Sequence, residues 1–210
     1  MRLVKAIPFS IGVAALLAPA LPHASATSIL ASPAIPSAAQ AASRELDFTP
    51  TDLRLYQDPR SGRNFWYLTY EVVNRTGRDQ RFAPRIDLLT DEGRVVAQGA
   101  GVPSQVVKDL KELLQNPLLE DQFEILGEVL QGREHAKTGL VVFEASYLEP
   151  TELTVFVQGL SRETKKAPHP KSGEPVTLRK SLRLDYLVPG DPKPTGTVSY
   201  PVLARDWTFR

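Results

Sequence analysis

The sequence predicts an all-β domain, a β-sandwich of about seven or eight strands with one inserted helix over roughly residues 103–115. Three observations carry this. Segments rich in Val, Tyr, Phe, Trp and Thr alternate at period two, turn-forming residues recur about every ten positions, and helical periodicity occurs clearly only once.

The strongest segment is Asn64 to Gly77. Trp66, Leu68, Tyr70 and Val72 share one side of an extended chain, and Phe65, Tyr67, Thr69, Glu71 and Val73 share the other. Asn74-Arg75-Thr76-Gly77 supplies the turn that stops it. This reads as a central strand. Ahead of it, Leu46 with Phe48 and Leu53 with Leu55 alternate out of phase around Pro50, which gives two short strands or one edge strand broken at the proline. After it, Arg81 to Thr90 reads as a strand with Phe82, Ile86 and Leu88 inward. Asp91-Glu92-Gly93-Arg94 makes a tight hairpin turn, and Val95 to Gln98 returns.

The period then changes. Val106, Val107, Leu110, Leu113 and Leu114 fall at helical spacing between Pro103, suited to a first turn, and Asn116-Pro117, which ends the helix. Its apolar stripe is expected to pack on the sandwich; display to a partner is the alternative. Leu118 to Leu130 is open to two readings, a continued helix or, as Gly127, Gly132 and the alternation of Ile125, Gly127 and Val129 favour, a strand in its second half. Thr138 to Glu144, Leu153 to Gln158 and Val176 to Leu187 read as strands, the last interrupted on its apolar face at Lys180. Ser161 to Pro175 reads as a long polar loop, Pro189 to Pro192 as a turn, and the C-terminal residues as a last strand.

The pattern Phe65-Trp66-Tyr67, Tyr70, Val72, Asn74, Thr76-Gly77 resembles one that recurs in uncharacterised exported bacterial proteins with an immunoglobulin-like sandwich. Gly127-Glu128-Val129-Leu130-Gln131-Gly132, followed by Gly139-Leu140-Val141-Val142-Phe143, is similar to the glycine-containing turn and strand of telokin-like bacterial modules. The likeness covers roughly residues 45–188. It implies an immunoglobulin-like β-sandwich and no catalytic residues.

Arg2 and Lys5, an apolar run from Ile7 to Leu21 and the small-x-small Ala24-Ser25-Ala26 make residues 1–26 a signal peptide. The run is about 15 residues, short of the roughly 20 of a spanning helix. Residues 27–43, mostly Ala, Ser and Pro, read as a flexible leader, so the folded domain spans 44–210. No transmembrane segment is expected in the mature chain, whose location is periplasmic or secreted. With no cysteine, disulfides and thiolate metal or redox sites are excluded. Lys plus Arg (25) nearly balances Asp plus Glu (24), which argues against nucleic acid as the main partner.

Catalytic signatures are weak. His135 and His169 have no ligand spacing, so no metal or cofactor is expected. The glycines of 127–132 lack a phosphate loop's Lys and Ser/Thr, and Lys171-Ser172-Gly173 lacks an accompanying Ser-x-x-Lys nucleophile. Two contact candidates stand out. Arg162, Lys165, Lys166 and Lys171, with Arg179, Lys180 and Arg183 beyond them, form a local excess of positive charge, set against the plain reading of a solvated loop. Trp66, Tyr67 and Tyr70 read first as core, with Tyr67 the residue to face a ligand if that side is open. The expected function is an exported, non-enzymatic binding or structural module of the bacterial envelope, its partner a protein or envelope component. The alternatives are an enzyme or inhibitor with a site assembled from distant residues, and a polyanion or membrane-surface binder acting through residues 162–183.

Overall fold

A computed structural model describes residues 44–146, 150–188, 192 and 194–210. The expected signal peptide and leader, and Pro189 to Asp191 of the expected turn, lie outside them. The described chain is all-β. Two six-stranded sheets and one two-stranded pair accompany a single helix.

The strands, in chain order, are β1 (Asp47–Pro50), β2 (Leu53–Gln57), β3 (Asn64–Asn74), β4 (Gln80–Phe82), β5 (Arg85–Thr90) and β6 (Val95–Ala97). Helix α1 (Ser104–Leu114) follows, then β7 (Leu119–Glu120), β8 (Gly127–Val129), β9 (Gly132–Glu144) and β10 (Glu152–Gln158). The remainder are β11 (Thr164–Pro168), β12 (Pro175–Leu187), β13 (Thr195–Tyr200) and β14 (Val202–Phe209).

The first sheet runs β13-β2-β3-β9-β7, with β1 also paired to β3. Both β1 and β2 run antiparallel to β3, at residues 70–73 and 64–67 respectively. The chain around Pro50 therefore forms one interrupted line beside the central strand. The second sheet runs β11-β12-β10-β5-β6, with β14 on β12. The expected Arg81–Thr90 strand is split at Ala83-Pro84. Its first part, β4, leaves the sheet to pair with β8, as the missing proline N–H favours.

One buried cluster joins the facing sides of the two sheets. Leu55, Trp66, Leu68, Tyr70, Val141 and Phe143 come from the first, and Ile86, Leu88, Val155, Leu182, Leu184 and Tyr186 from the second. Tyr70 lies across from Gly139, where a Cβ would stand 2.3 Å from the Tyr70 ring. A glycine there lets the aromatic fold over the neighbouring strand.

A second cluster lies on the outer side of the first sheet. Phe65 and Tyr67 of β3 and Leu140 and Val142 of β9 are covered by Val106 and Leu110 of α1. The helix stripe thus packs as expected, although Leu113 remains 50% exposed. Pro103 stands at the N-cap, and Gln115 closes the helix in the left-handed region (φ 50), its N–H donating to the Lys111 carbonyl. Arg60 to Asp109 and Lys111 to Glu124 pin α1 to the loops on either side.

The structure corrects the expected strand count, with fourteen strands among the described residues where about seven or eight were expected, and it corrects one element outright. Ser161 to Pro175 is not a loop: β11 pairs with β12 from Thr164↔Arg179 to Pro168↔Pro175, forming a hairpin. Its Thr-Lys-Lys-Ala-Pro sequence lacks the apolar alternation of a buried strand, because backbone pairing rather than burial holds it.

Candidate functional site

The turn after β3 builds one wall of the site. The Asn74 carboxamide oxygen accepts from the Thr76 N–H (3.0 Å) and the Thr76 hydroxyl (2.8 Å). This is the side-chain turn that Asn makes readily. The amide nitrogen of Asn74 donates to the carbonyls of Arg78 (2.9 Å) and Val129 (2.7 Å), fastening the loop to β8. Asn74 is fully buried and committed to these bonds. The segment so held presents Arg78 and Arg81.

The opposite wall is where β10 ends. Gly159 has φ 94, and a Cβ on it would come within 2.9 Å of the Ala83 carbonyl oxygen, so the chain can turn here only as glycine. The N–H of Leu46 donates to the Leu160 carbonyl at 2.9 Å, which brings Arg44 alongside. Ser161 and Arg162 then lead into the hairpin.

Between these walls lies a cavity of about 450 Å³, lined by Arg44, Arg78, Arg81 and Arg162 with Thr76, Gln80 and Ser161. Leu46, Leu160 and Gln80, all buried, line it as well. Four exposed arginines are among its lining residues, and none of them takes part in an ion pair among the described residues. No carboxylate lines the cavity. Those nearest in sequence are engaged elsewhere: Asp47 with Arg75 (2.8 Å), Asp79 with the Gln131 N–H (3.1 Å), and Glu45 and Glu163 with Lys180 (2.9 and 2.8 Å). Those two carboxylates, Glu163 first, raise the Lys180 pKa above its ordinary value. Lys180 also lies 5.2 Å from the centre of the Trp207 ring, so it serves as a structural cross-link. Exposed guanidiniums with five fixed donors each, beside a partly apolar lining, suit bidentate capture of carboxylate, phosphate or sulfate groups.

A second cavity, of about 420 Å³, lies between α1 and the 121–124 segment. Val102, Val107, Phe123, Leu140 and Val142 line it, with Lys108, Lys111 and Glu124. Phe123 is 72% exposed. Charge here is balanced: the hydrogen bond from Lys111 holds Glu124 below the usual carboxylate range, as Arg60 holds Asp109.

The expected contact residues separate. Tyr67 is 1% exposed beneath α1, and its hydroxyl donates to the Gly196 carbonyl at 2.6 Å. Burial pushes its phenol pKa up. It is a core residue and not a ligand-facing one. Arg162 lines the arginine cleft. Lys165 and Lys166 are exposed on β11, on opposite faces of the hairpin, and Lys171 is in its turn. In that turn the His169 ring nitrogen Nδ1 accepts from the Lys171 and Ser172 N–H groups (3.3 and 3.2 Å), so Lys171-Ser172-Gly173 serves the turn. His135 is on β9, far in sequence from His169 in the hairpin turn.

Sequence reasoning missed Arg44, Arg78 and Arg81. One signal was present: Arg75, Arg78 and Arg81 fall within seven residues that contain a single acidic residue, Asp79. No protein-family model matches the chain, nor does any curated protein or solved structure.

Proposed function

We propose that this chain is an exported, non-enzymatic binding module of immunoglobulin-like type that takes an anionic envelope ligand in the arginine cleft. One observation carries the reading: Arg44, Arg78, Arg81 and Arg162 converge on a single cavity without a carboxylate to neutralise them. Gathering like charge costs stability unless a ligand offsets it. The cavity volume falls within the roughly 300–1,000 Å³ common for small-ligand sites. Its lining includes no histidine or carboxylate to move a proton, which favours binding over catalysis. The N-terminal signal pattern, the absence of cysteine and the two-sheet core accord with an exported sandwich module.

Thermal unfolding with added pyrophosphate tests this. A ligand that binds only the folded state at 100 times its Kd adds about 2.7 kcal/mol. The expected result is a rise in Tm beyond that given by sodium chloride of equal ionic strength, lost in Arg44→Gln/Arg78→Gln. No rise, or an equal rise in the variant, contradicts the reading.

A second reading, a protein partner in the groove beside α1, is favoured by the exposure of Phe123 on its lining. It predicts that Phe123→Asp abolishes partner recovery from envelope extract while leaving the response to pyrophosphate intact.

A further inference from the structure

We infer that the outer edge of β14 pairs antiparallel with the same strand of a second copy of this chain, across a two-fold axis at Trp207. This goes beyond the cleft reading and does not depend on it.

Register shows which backbone groups are available. The Arg179 N–H donates to the Arg210 carbonyl (2.8 Å), and the Arg210 N–H to the Arg179 carbonyl (3.2 Å). From there β12 and β14 pair regularly from Lys180↔Phe209 to Asp185↔Ala204. Backbone groups alternate sides along a strand. Those of Thr208, Asp206 and Ala204 therefore point at β12, and those of Arg205, Trp207 and Phe209 point away from it. No described strand lies on that side. Trp207 stands at this edge 39% exposed, its ring centre 5.2 Å from the Lys180 ammonium.

The other edges of the two sheets are blunted. β11 carries Lys165, Lys166 and Pro168, and β1 is short and ends in Pro50. β6 and β7 have three and two residues, and β13 loses register between Thr195 and Ser199. Lysine, proline, shortness and irregularity all keep an edge from pairing. From Ala204 to Phe209, β14 has no lysine, no proline and no register shift.

The strand's own residues select a second copy as the occupant. Two copies of one strand meet antiparallel about a two-fold axis, with outward residues facing outward residues. An axis at Trp207 sets Arg205 against Phe209 of the second copy, Asp206 against its Thr208, and Trp207 against itself. All the outward backbone groups of Arg205, Trp207 and Phe209 are then used. An axis at Asp206 would oppose two aspartates, and one at Arg205 two arginines, which is unfavourable. An aromatic pair and a guanidinium against a ring are favourable. A foreign strand would have to supply these matches, whereas the copy carries them. Arg205 and Asp206 leave the edge neutral, and a formal net charge of +1 gives copies little mutual repulsion. Residues 205–209 of each copy form the ladder, far fewer than the roughly 20–30 a side of stable interfaces, so the dimer is reversible.

The chain has no cysteine, so introduced thiols report the pairing directly. Asp206→Cys and Thr208→Cys proteins, mixed under mild oxidation, should form disulfide dimers roughly tenfold faster than either alone, because only 206 against 208 brings thiols within bonding reach. Sedimentation equilibrium of wild type should show a monomer–dimer equilibrium with Kd between about 1 μM and 1 mM. Arg205→Pro removes an outward N–H and no bond to β12, and Trp207→Lys opposes two cations at the axis. Both should stay monomeric with unchanged circular dichroism, and Trp207→Lys carries the test alone if the proline variant misfolds. Wild type that is monomeric up to about 1 mM overturns the inference and leaves the edge to a strand of another chain. A dimer that survives in the folded variants, or Asp206→Cys linking to itself as fast as the mixture links, overturns it too.

Discussion

The face of the first sheet under α1 and the end of the molecule at the arginine cleft are built on opposite terms. Under the helix, Phe65, Tyr67, Val106, Leu110 and Leu140 exclude water, and the charges at the margin are matched: Arg60 with Asp109, Lys111 with Glu124. At the cleft four arginines stand together and the nearby carboxylates are turned to other partners. Structural surfaces balance charge because the fold alone must be stable. At the unbalanced surface the proposed ligand would bring the missing charge.

Truncation beneath the helix should break this contrast on the structural side. Leu110→Ala, at a fully buried position, is expected to cost about 2–5 kcal/mol in urea unfolding, with the response to pyrophosphate kept in the folded fraction. A loss below 1 kcal/mol would mean that the helix is not part of the cooperative core.

Tyr67→Phe sharpens it next. The ring stays and the hydroxyl goes, so the Gly196 carbonyl loses its bond. About 1–3 kcal/mol should be lost. No loss would mean that water replaces the hydroxyl, and that the site is wetter than its burial implies.

Acid should act on the paired surface. Hydrogen bonds hold four carboxylates below their usual range: from Arg60 to Asp109, Ser61 to Asp58, Thr151 to Asp91 and Lys111 to Glu124. A depressed pKa contributes stability that is present above the unfolded value and lost as pH falls through the folded one. Melting temperature should therefore stay level from neutral pH to about pH 5 and decline below about pH 4. Asp109→Asn, scanned in parallel, should show a shallower decline; an identical slope would exclude that pair as a contributor.

The smallest stability effect belongs to the cleft. Arg78→Gln should change unfolding free energy by no more than about 0.5 kcal/mol, in the stabilising direction if at all, while weakening anion binding. A clear destabilisation would show that Arg78 has a structural partner.

Much of the structural half was legible in residue order. The alternation of β3, the spacing of Val106 and Leu110 and the turn residues 91–94 each put their information within a few neighbouring positions. What covers Tyr67 was not legible, because a strand with apolar residues on both faces does not say what packs on the second. The hairpin was missed because Lys165, Lys166 and Pro168 read as solvated loop, and only backbone register makes them a strand. The cleft draws on three segments, at Arg44, Arg78 with Arg81, and Arg162, which the first sheet, the β4–β8 pair and the end of β10 bring together. Arg162 alone was visible, through the charge excess that follows it.

The most direct measurement is an NMR titration of the full chain with pyrophosphate that observes the arginine side-chain Nε–H resonances. The account predicts that Arg44, Arg78, Arg81 and Arg162 shift together, saturably and with one common Kd, while Arg60, Arg63 and Arg75 stay still. Shifts spread evenly over all arginines, or absent from those four, would contradict it.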